Sequence, residues 1–136
     1  MITYTTEKNF TQDEVVHLFK SVGWISAEYP SRLYKALMNS GTVVTARADG
    51  KLAGLARAID DTELVAFLHY VLVDPAYQGK GIAGTMIEKM KDVYKDYLYI
   101  EGMPENKDNV AFYEKHGFKQ MKNGAAIQIC NFSIQD

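Results

Sequence analysis

Val71-Leu72-Val73-Asp74-Pro75-Ala76-Tyr77-Gln78-Gly79-Lys80-Gly81-Ile82-Ala83-Gly84-Thr85 reads as a strand that runs into a glycine-rich turn and opens a helix. The strand is the end of an apolar run, Leu64 to Val73, which reads as a central strand buried on both faces. The helix follows because Ile82, Met86, Ile87, Met90 and Val93 recur at helical spacing up to Tyr94. Between them, Gly79, Gly81 and Gly84 allow close approach of a ligand, and the free N–H groups and dipole of the helix's first turn favour an anion. A phosphate or pyrophosphate is the natural guest. The turn is not a Walker loop, because no Gly-Lys-Ser/Thr follows at the required spacing, and it lacks the dinucleotide-fold glycine pattern. A glycine-rich turn taken alone also suits a merely tight connection.

Outward from this turn the chain alternates its periodicity. Upstream, Ile2 to Thr5 predicts a short strand, and Thr11-Gln12-Asp13-Glu14 opens a helix that buries Val15, Val16, Leu18 and Phe19. Gly23 and Pro30 punctuate the next stretch, after which Leu33, Tyr34, Leu37 and Met38 predict a second helix ending at Asn39-Ser40-Gly41. Thr42 to Arg47 and Leu52 to Ile59 are β-rich runs joined by Asp49-Gly50, a hairpin signal. Downstream, a strand is expected at Tyr97 to Ile100, a helix at Pro104 to Lys115 closed by Gly117, and two final strands at Phe118 to Met121 and Ala126 to Phe132. The order is strand, two helices, three strands, helix, strand, helix, two strands. It implies an α/β fold in which a mixed sheet carries helices on both sides, as one domain over residues 1–136.

Composition narrows the function classes. A chain of 136 residues with 47% hydrophobic content can build one real core. Fifteen basic against seventeen acidic residues, a formal charge of -2, supply no basic excess for a nucleic-acid backbone. The single Cys130 has no disulfide partner and no neighbours at metal-ligand spacing, so no metal is expected, and the cysteine reads as a small hydrophobe in an apolar run. No charged leader with an apolar core opens the chain, and no apolar run approaches the ~20 residues of a membrane span. A cytoplasmic protein without membrane contact is expected.

The hexapeptide Gln78-Gly79-Lys80-Gly81-Ile82-Ala83 resembles the Gln/Arg-x-x-Gly-x-Gly/Ala signature of the GNAT acetyltransferases, and Val73-Asp74-Pro75-Ala76-Tyr77 resembles the Val-x-Pro-x-Tyr that precedes it there. A second match is Asn106-Lys107-Asp108-Asn109-Val110-Ala111-Phe112-Tyr113-Glu114-Lys115-His116-Gly117-Phe118, similar to the family's Asn-x-x-Ala-x-x-Phe-Tyr-x-x-x-Gly-Phe, with Asn109 where alanine is commoner. The resemblance implies acetyl-CoA as co-substrate, an N-acetyltransferase reaction by direct attack of a primary amine in a ternary complex, and a small-molecule or peptide acceptor. Self-association as a homodimer is left open.

The resemblance also assigns candidate residues. Residues Gln78, Gly79, Lys80, Gly81, Ile82, Ala83, Gly84 and Thr85 correspond to the loop that binds the CoA pyrophosphate. Val71, Leu72 and Val73 correspond to the fourth-strand segment whose backbone pairs with pantetheine, with the Val71 N–H toward the thioester oxygen. Asn106 and Asn109 correspond to contacts around the pantetheine arm, though Asn106 also reads as a plain helix cap. Tyr113 corresponds to the general acid for the departing thiolate, against a plain packing role beside Phe112.

The base is not where the family often has it, since Phe67 stands at the position of a fourth-strand glutamate. His69 is similar to a strand histidine of arylalkylamine acetyltransferases that moves a proton through water, a role suited to a pKa near ~6.5. Strand alternation predicts His69 on one face with Phe67, Val71 and Val73, and Tyr70 on the other. Glu28, Glu63 and a backbone-held water are the rivals. Acceptor recognition is expected from Trp24, Glu28 and Tyr29, as aromatic wall and anchor for a cationic amine, with Trp24 in the core and Glu28 in solvent as the plainer reading. The missing glutamate leaves a second function class, an acyl-CoA-binding sensor without chemistry.

Overall fold

A computed structural model describes residues Met1–Asp136. Its backbone is a five-stranded mixed sheet with helices on both faces. The strands are β1 (Ile2–Thr5), β2 (Thr42–Ala48), β3 (Lys51–Asp60), β4 (Val65–Val73) and β5 (Tyr99–Gly102), in that spatial order. The first three pairings are antiparallel, and β4 with β5 is parallel. Helices α1 (Gln12–Ser21) and α2 (Pro30–Met38) precede β2, α3 (Ile82–Val93) joins β4 to β5, and α4 (Val110–Lys115) follows.

Local chemistry accounts for the boundaries. Thr11 caps α1 through a reciprocal capping box with Glu14, an arrangement in which the cap residue is typically worth about 1 kcal/mol. Asp49 and Gly50 both have positive φ, 50° and 87°, the conformation a two-residue hairpin turn demands. The sheet separates two cores. One packs α3 residues Ile82, Met86, Ile87 and Met90 on Ala56, Ala58, Ala66 and Leu68; the other packs Val15, Leu18, Phe19, Leu33 and Leu37 on Val43, Leu55 and Leu72.

Four expectations are corrected. β4 is not buried on both faces: its residues alternate, and His69 is exposed, because neighbouring strands and helices cover it unevenly. β5 begins at Tyr99, two residues later than expected, since Tyr94 and Tyr97 pack edge to face on the helix-to-strand corner. The helix from Pro104 is shorter, a 3-10 turn at Lys107–Asn109 followed by α4. The two closing strands do not form: residues 118–136 contain no strand.

The last correction has a visible cause. The chain end docks on α2, whose own cap residue Tyr29 offers no side-chain cap. Asp136 supplies the cap, accepting from the Ser31 and Arg32 N–H groups at 3.1 and 2.9 Å, and these bonds hold its carboxyl below the usual range. Arg32 Nε also donates to the Gln135 carbonyl, and Tyr29 Oη to the Phe132 carbonyl. Stretched toward that anchor, the β-patterned residues Ile127 and Ile129 stand 95% and 97% exposed with no strand beside them. Cys130 is exposed too, its thiol bonded to Gln128, and is not the buried small hydrophobe its neighbours suggest.

Candidate active site

β4 and β5 pair from Val65 with Tyr99 to Leu68 with Gly102, and no further. Residues 69–73 therefore have a partner on the β3 side alone. The Asp74 N–H donates to the Ala53 carbonyl at 2.8 Å, and counting back along the antiparallel register places Leu72 in a hydrogen-bonded pair with Leu55. Val71 and Val73 fall in the alternate pairs, so their N–H and C=O groups point away from β3 into the gap. Leu72 is thereby removed from the expected contacts: its backbone belongs to the ladder with β3 and its side chain to the α1–α2 core. The Val73 carbonyl already accepts from Gln78 Nε2 at 3.1 Å, which ties the turn to the strand and leaves Val71 with both backbone groups open.

The turn delivers free donors to the same end of the gap. The N–H groups from Gly79 to Gly84 donate to no backbone carbonyl; the first that does is Thr85, to Gly81. Gly79 and Gly81 have φ of 81° and 77°, and a Cβ on either would meet nothing within 4 Å. Backbone at both is thus reachable by a ligand and held in a conformation that favours glycine. Ile82 is buried and contributes only its N–H, and Lys80 is exposed. Thr85 spends its N–H and hydroxyl proton on Gly81, so it is not a donor to a ligand. Gly84 has a different reason to be glycine: a Cβ there would lie 3.2 Å from His116 Nε2, the ring that carries the end of α4 across α3. These donors and the open strand edge fit the polyanionic end and amide-bearing arm of coenzyme A.

α4 packs its aromatic residues on the α3-side core, and His116 at its end bonds to Glu88 of α3. Tyr113 packs against Phe112 and Phe118, with ring centroids 5.1 and 5.6 Å away, and its hydroxyl bonds to no protein group. Burial raises its pKa, so the phenol stays protonated at neutral pH. Asn106 accepts from the Asp108 N–H at 2.9 Å as a local cap, while the side chain of Asn109 is exposed.

Across β4 lies a cavity of about 270 Å³ lined by Ser26, Tyr29, Leu33, Ala36, Tyr70 and tail residue Phe132, among others. Of the three expected acceptor residues only Tyr29 lines it. Trp24 packs on Phe19 and Tyr70 in the α1–α2 core, and Glu28 is exposed without a partner, so both take the plainer reading.

The expected strand parity fails just after His69. The register passes from Arg57 opposite Tyr70 to Ala58 opposite Leu68, leaving His69 as the extra residue of a β-bulge. His69 keeps the face of Phe67, whose ring centroid is 6.4 Å away, as expected, and the residues after it change face. His69 and Tyr70 stand together on the α1–α2 side, ring centroids 4.4 Å apart, while Val71 and Val73 pack toward α3.

Beneath the bulge is a residue the sequence reading passed over. Arg57 is only 9% exposed and has no carboxylate within salt-bridge range. Its Nε donates to Ser40 Oγ at 2.8 Å, its Nη1 to His69 Nδ1 at 2.5 Å, and its guanidinium lies over the Tyr70 ring at 5.2 Å. The sequence does not single it out: Ala-Arg-Ala also surrounds Arg47, which pairs with Glu14, and only the surroundings show that Arg57 is buried without an acidic partner. Because arginine only donates, Nδ1 must accept, and a neutral imidazole then carries its proton on Nε2. Burial and the Arg57 charge both hold the His69 pKa below its ordinary value, consistent with that neutral tautomer. In this geometry Nε2 of His69 is a donor, which opposes its expected role as proton acceptor there.

Residues 10–118 match the Acetyltransferase (GNAT) family. The chain is 30% identical over 129 residues to an uncharacterized N-acetyltransferase, ycf52, of Pyropia yezoensis, covering 90% of this chain and 73% of that one. It is 32% identical over 82 residues to the N-alpha-acetyltransferase RimI of Mycobacterium tuberculosis, covering 57% of this chain and only about half, 52%, of RimI. Among solved structures, the GNAT family acetyltransferase SP0256 of Streptococcus pneumoniae superposes with a TM-score of 0.83 at 25% identity, over 98% of this chain and all of that one.

Proposed function

Because the chain belongs to the GNAT family and is an acetyltransferase, we propose that it moves the acetyl group of acetyl-CoA onto a primary amine of a small molecule or peptide, by direct attack in a ternary complex. The observation that carries this reading is the coincidence, at one end of the β4–β5 gap, of six unbonded N–H groups and the open Val71 backbone, with Tyr113 packed on the same α3-side core as Val71 and Ala83. Acetyl-CoA, when bound, supplies an activated acyl group and a thiolate leaving group.

The chain's own residues divide the remaining work. The N–H groups of Gly79 to Gly84, with the α3 dipole behind them, hold phosphate oxygens, and Lys80 adds a mobile positive charge. The Val71 N–H, open toward the gap, donates to the oxygen that gains negative charge. Tyr113 keeps its proton until a thiolate develops beside it; desolvation makes the phenol a weaker acid but also makes an unprotonated thiolate costlier, so transfer runs with the departure of sulfur. The amine's proton goes to water, since Nε2 of His69 offers a proton and not a lone pair.

The test is a panel of polyamines, aminoglycosides, arylalkylamines, amino acids and peptides incubated with acetyl-CoA, following CoA release. Turnover with a member of the panel supports the enzyme reading; tight CoA binding without turnover on any would favour a sensor. Self-association belongs to the same proposal: the strand-patterned tail with exposed Ile127 and Ile129, and the unpaired outer edge of β5 beside exposed Leu98 and Tyr99, are complementary in a second copy. No helix is long and apolar enough to cross a membrane. A free, exposed cysteine suits the reducing cytoplasm we assign.

A further inference from the structure

We propose that Arg57 and His69 form a receptor for a carboxylate, so that the acceptor is an amine that also carries a carboxylate group. The inference rests on the acetyltransferase reading for the word acceptor, but the anion site stands on its own geometry.

The buried guanidinium has five N–H donors and uses two of its three nitrogens inside the protein, Nε on Ser40 and Nη1 on His69. Nη2 bonds to nothing. It is also not sealed off, because the only fully enclosed side-chain polar atom without a partner is Thr45 Oγ1. A cation that is nine-tenths buried, lacks any acidic partner and keeps one open nitrogen has a full charge to satisfy from outside the chain.

Its neighbour completes the receptor. With Nδ1 engaged by Arg57, His69 presents Nε2–H from a partly exposed ring on the same face. Two donors, one charged and one neutral, side by side on adjacent strands are the chemistry that a carboxylate accepts from. The position is right for an acceptor. Tyr70, under the guanidinium, lines the 270 Å³ cavity, and Ser40, which accepts from Arg57, donates in turn to the carbonyl of Ala36, another lining residue. The open backbone of Val71 follows one residue after Tyr70.

Two measurements test this on the full chain. First, acetate and propionate are titrated while the Arg57 Nε–H and His69 ring signals are followed by NMR, with chloride at matched ionic strength as control. Saturable shifts in the millimolar range, lost in R57Q and weakened in R57K, are expected. Absence of saturation, or an equal response to chloride, overturns the site. Retention of the wild-type fold by R57K, read from the remaining amide spectrum, separates loss of the receptor from loss of structure.

Second, CoA release is compared for amine pairs that differ only in a carboxylate: tyrosine with tyramine, tryptophan with tryptamine, lysine with cadaverine. Where a pair is turned over, the carboxylate-bearing member is expected to lead in kcat/KM by about 10- to 100-fold, the value of a hydrogen bond to a charged group, and R57Q to erase that lead. Preference for the decarboxylated members overturns the proposal. Calorimetric titration with CoA on the same sample distinguishes the two failures. CoA binding without carboxylate shifts sinks the receptor alone, and carboxylate shifts without CoA binding sink the acetyltransferase reading while the receptor stands.

Discussion

Arg57 Nη1 lies 2.5 Å from His69 Nδ1, and this contact decides which nitrogen of the imidazole carries the proton. The consequence is testable through His69→Gln. Glutamine can accept from Arg57 through its amide oxygen and donate through its amide nitrogen, so it reproduces both roles without titrating. We expect kcat/KM at neutral pH to stay within a few-fold of wild type, whereas loss of a general base costs about 10²- to 10⁴-fold.

The same substitution has a signature in stability. The folded-state pKa of His69 is depressed by burial, then by the Arg57 charge, so between that value and the ordinary 6.5 the unfolded chain binds more protons than the folded one. Stability therefore falls as pH drops through about 6.5 toward the folded pKa. In H69Q this segment of the pH–stability curve flattens. A slope unchanged from wild type, measured by denaturant unfolding across the window, would show that the Arg57 contact does not form in solution.

The glycines of the turn separate a ligand role from a packing role. Gly81→Val forces a β-branched residue into φ of 77°, at a strain of about 1–3 kcal/mol, and fills the open space where a phosphate approaches. Calorimetry should show CoA affinity lost from a folded protein. Gly84→Ala is the contrast: its methyl meets the His116 ring at 3.2 Å, so α4 must give way, and melting temperature should fall while CoA binding persists. Equal CoA affinity in G81V and wild type would remove the turn from the site.

Most of the fold was legible because periodicity reports burial, and burial in α3, α1 and the β2–β3 hairpin is local and one-sided. The capping signal at Thr11 and the Asp49-Gly50 turn were read directly for the same reason. What failed was non-local. A single bulged residue at His69 inverts parity along a strand, and alternation in the sequence carries no mark of where register slips. The tail reads as strand from Ala126 to Phe132, yet its last residues are held on α2 by long-range bonds to Tyr29, Ser31 and Arg32 that periodicity does not report. In the site, the turn and Tyr113 were found by resemblance, while Arg57 was overlooked because a buried arginine inside a β-run looks like any exposed one until its surroundings are known.

The tail offers a further prediction. Two β-branched residues more than nine-tenths exposed on a strand-patterned tail, and the separate unpaired edge of β5, are surfaces that a second copy can pair. Sedimentation of the wild-type chain should give a dimer, and the double change I127S/I129S a monomer with an unaltered circular dichroism spectrum, since neither side chain packs in the protomer. A monomeric wild type at concentrations well above micromolar would end the idea.

Tyr113→Phe is the most direct probe of the chemistry, because the ring packs between Phe112 and Phe118 while the hydroxyl touches no protein atom. Removing that oxygen leaves the aromatic cluster intact and strands no partner, so stability should change by less than about 1 kcal/mol. If the hydroxyl serves the departing sulfur, kcat should fall by about 10- to 1000-fold with acetyl-CoA affinity nearly unchanged, the pattern of an interaction made only as the reaction proceeds. An acyl donor with a more acidic leaving thiol needs less help, and the mutant should recover part of its deficit with such a thioester. The wild-type phenol, its pKa raised by burial, should impose no alkaline limb below the ordinary tyrosine range. Wild-type turnover in Y113F with both donors would reduce Tyr113 to packing and return the proton delivery to solvent.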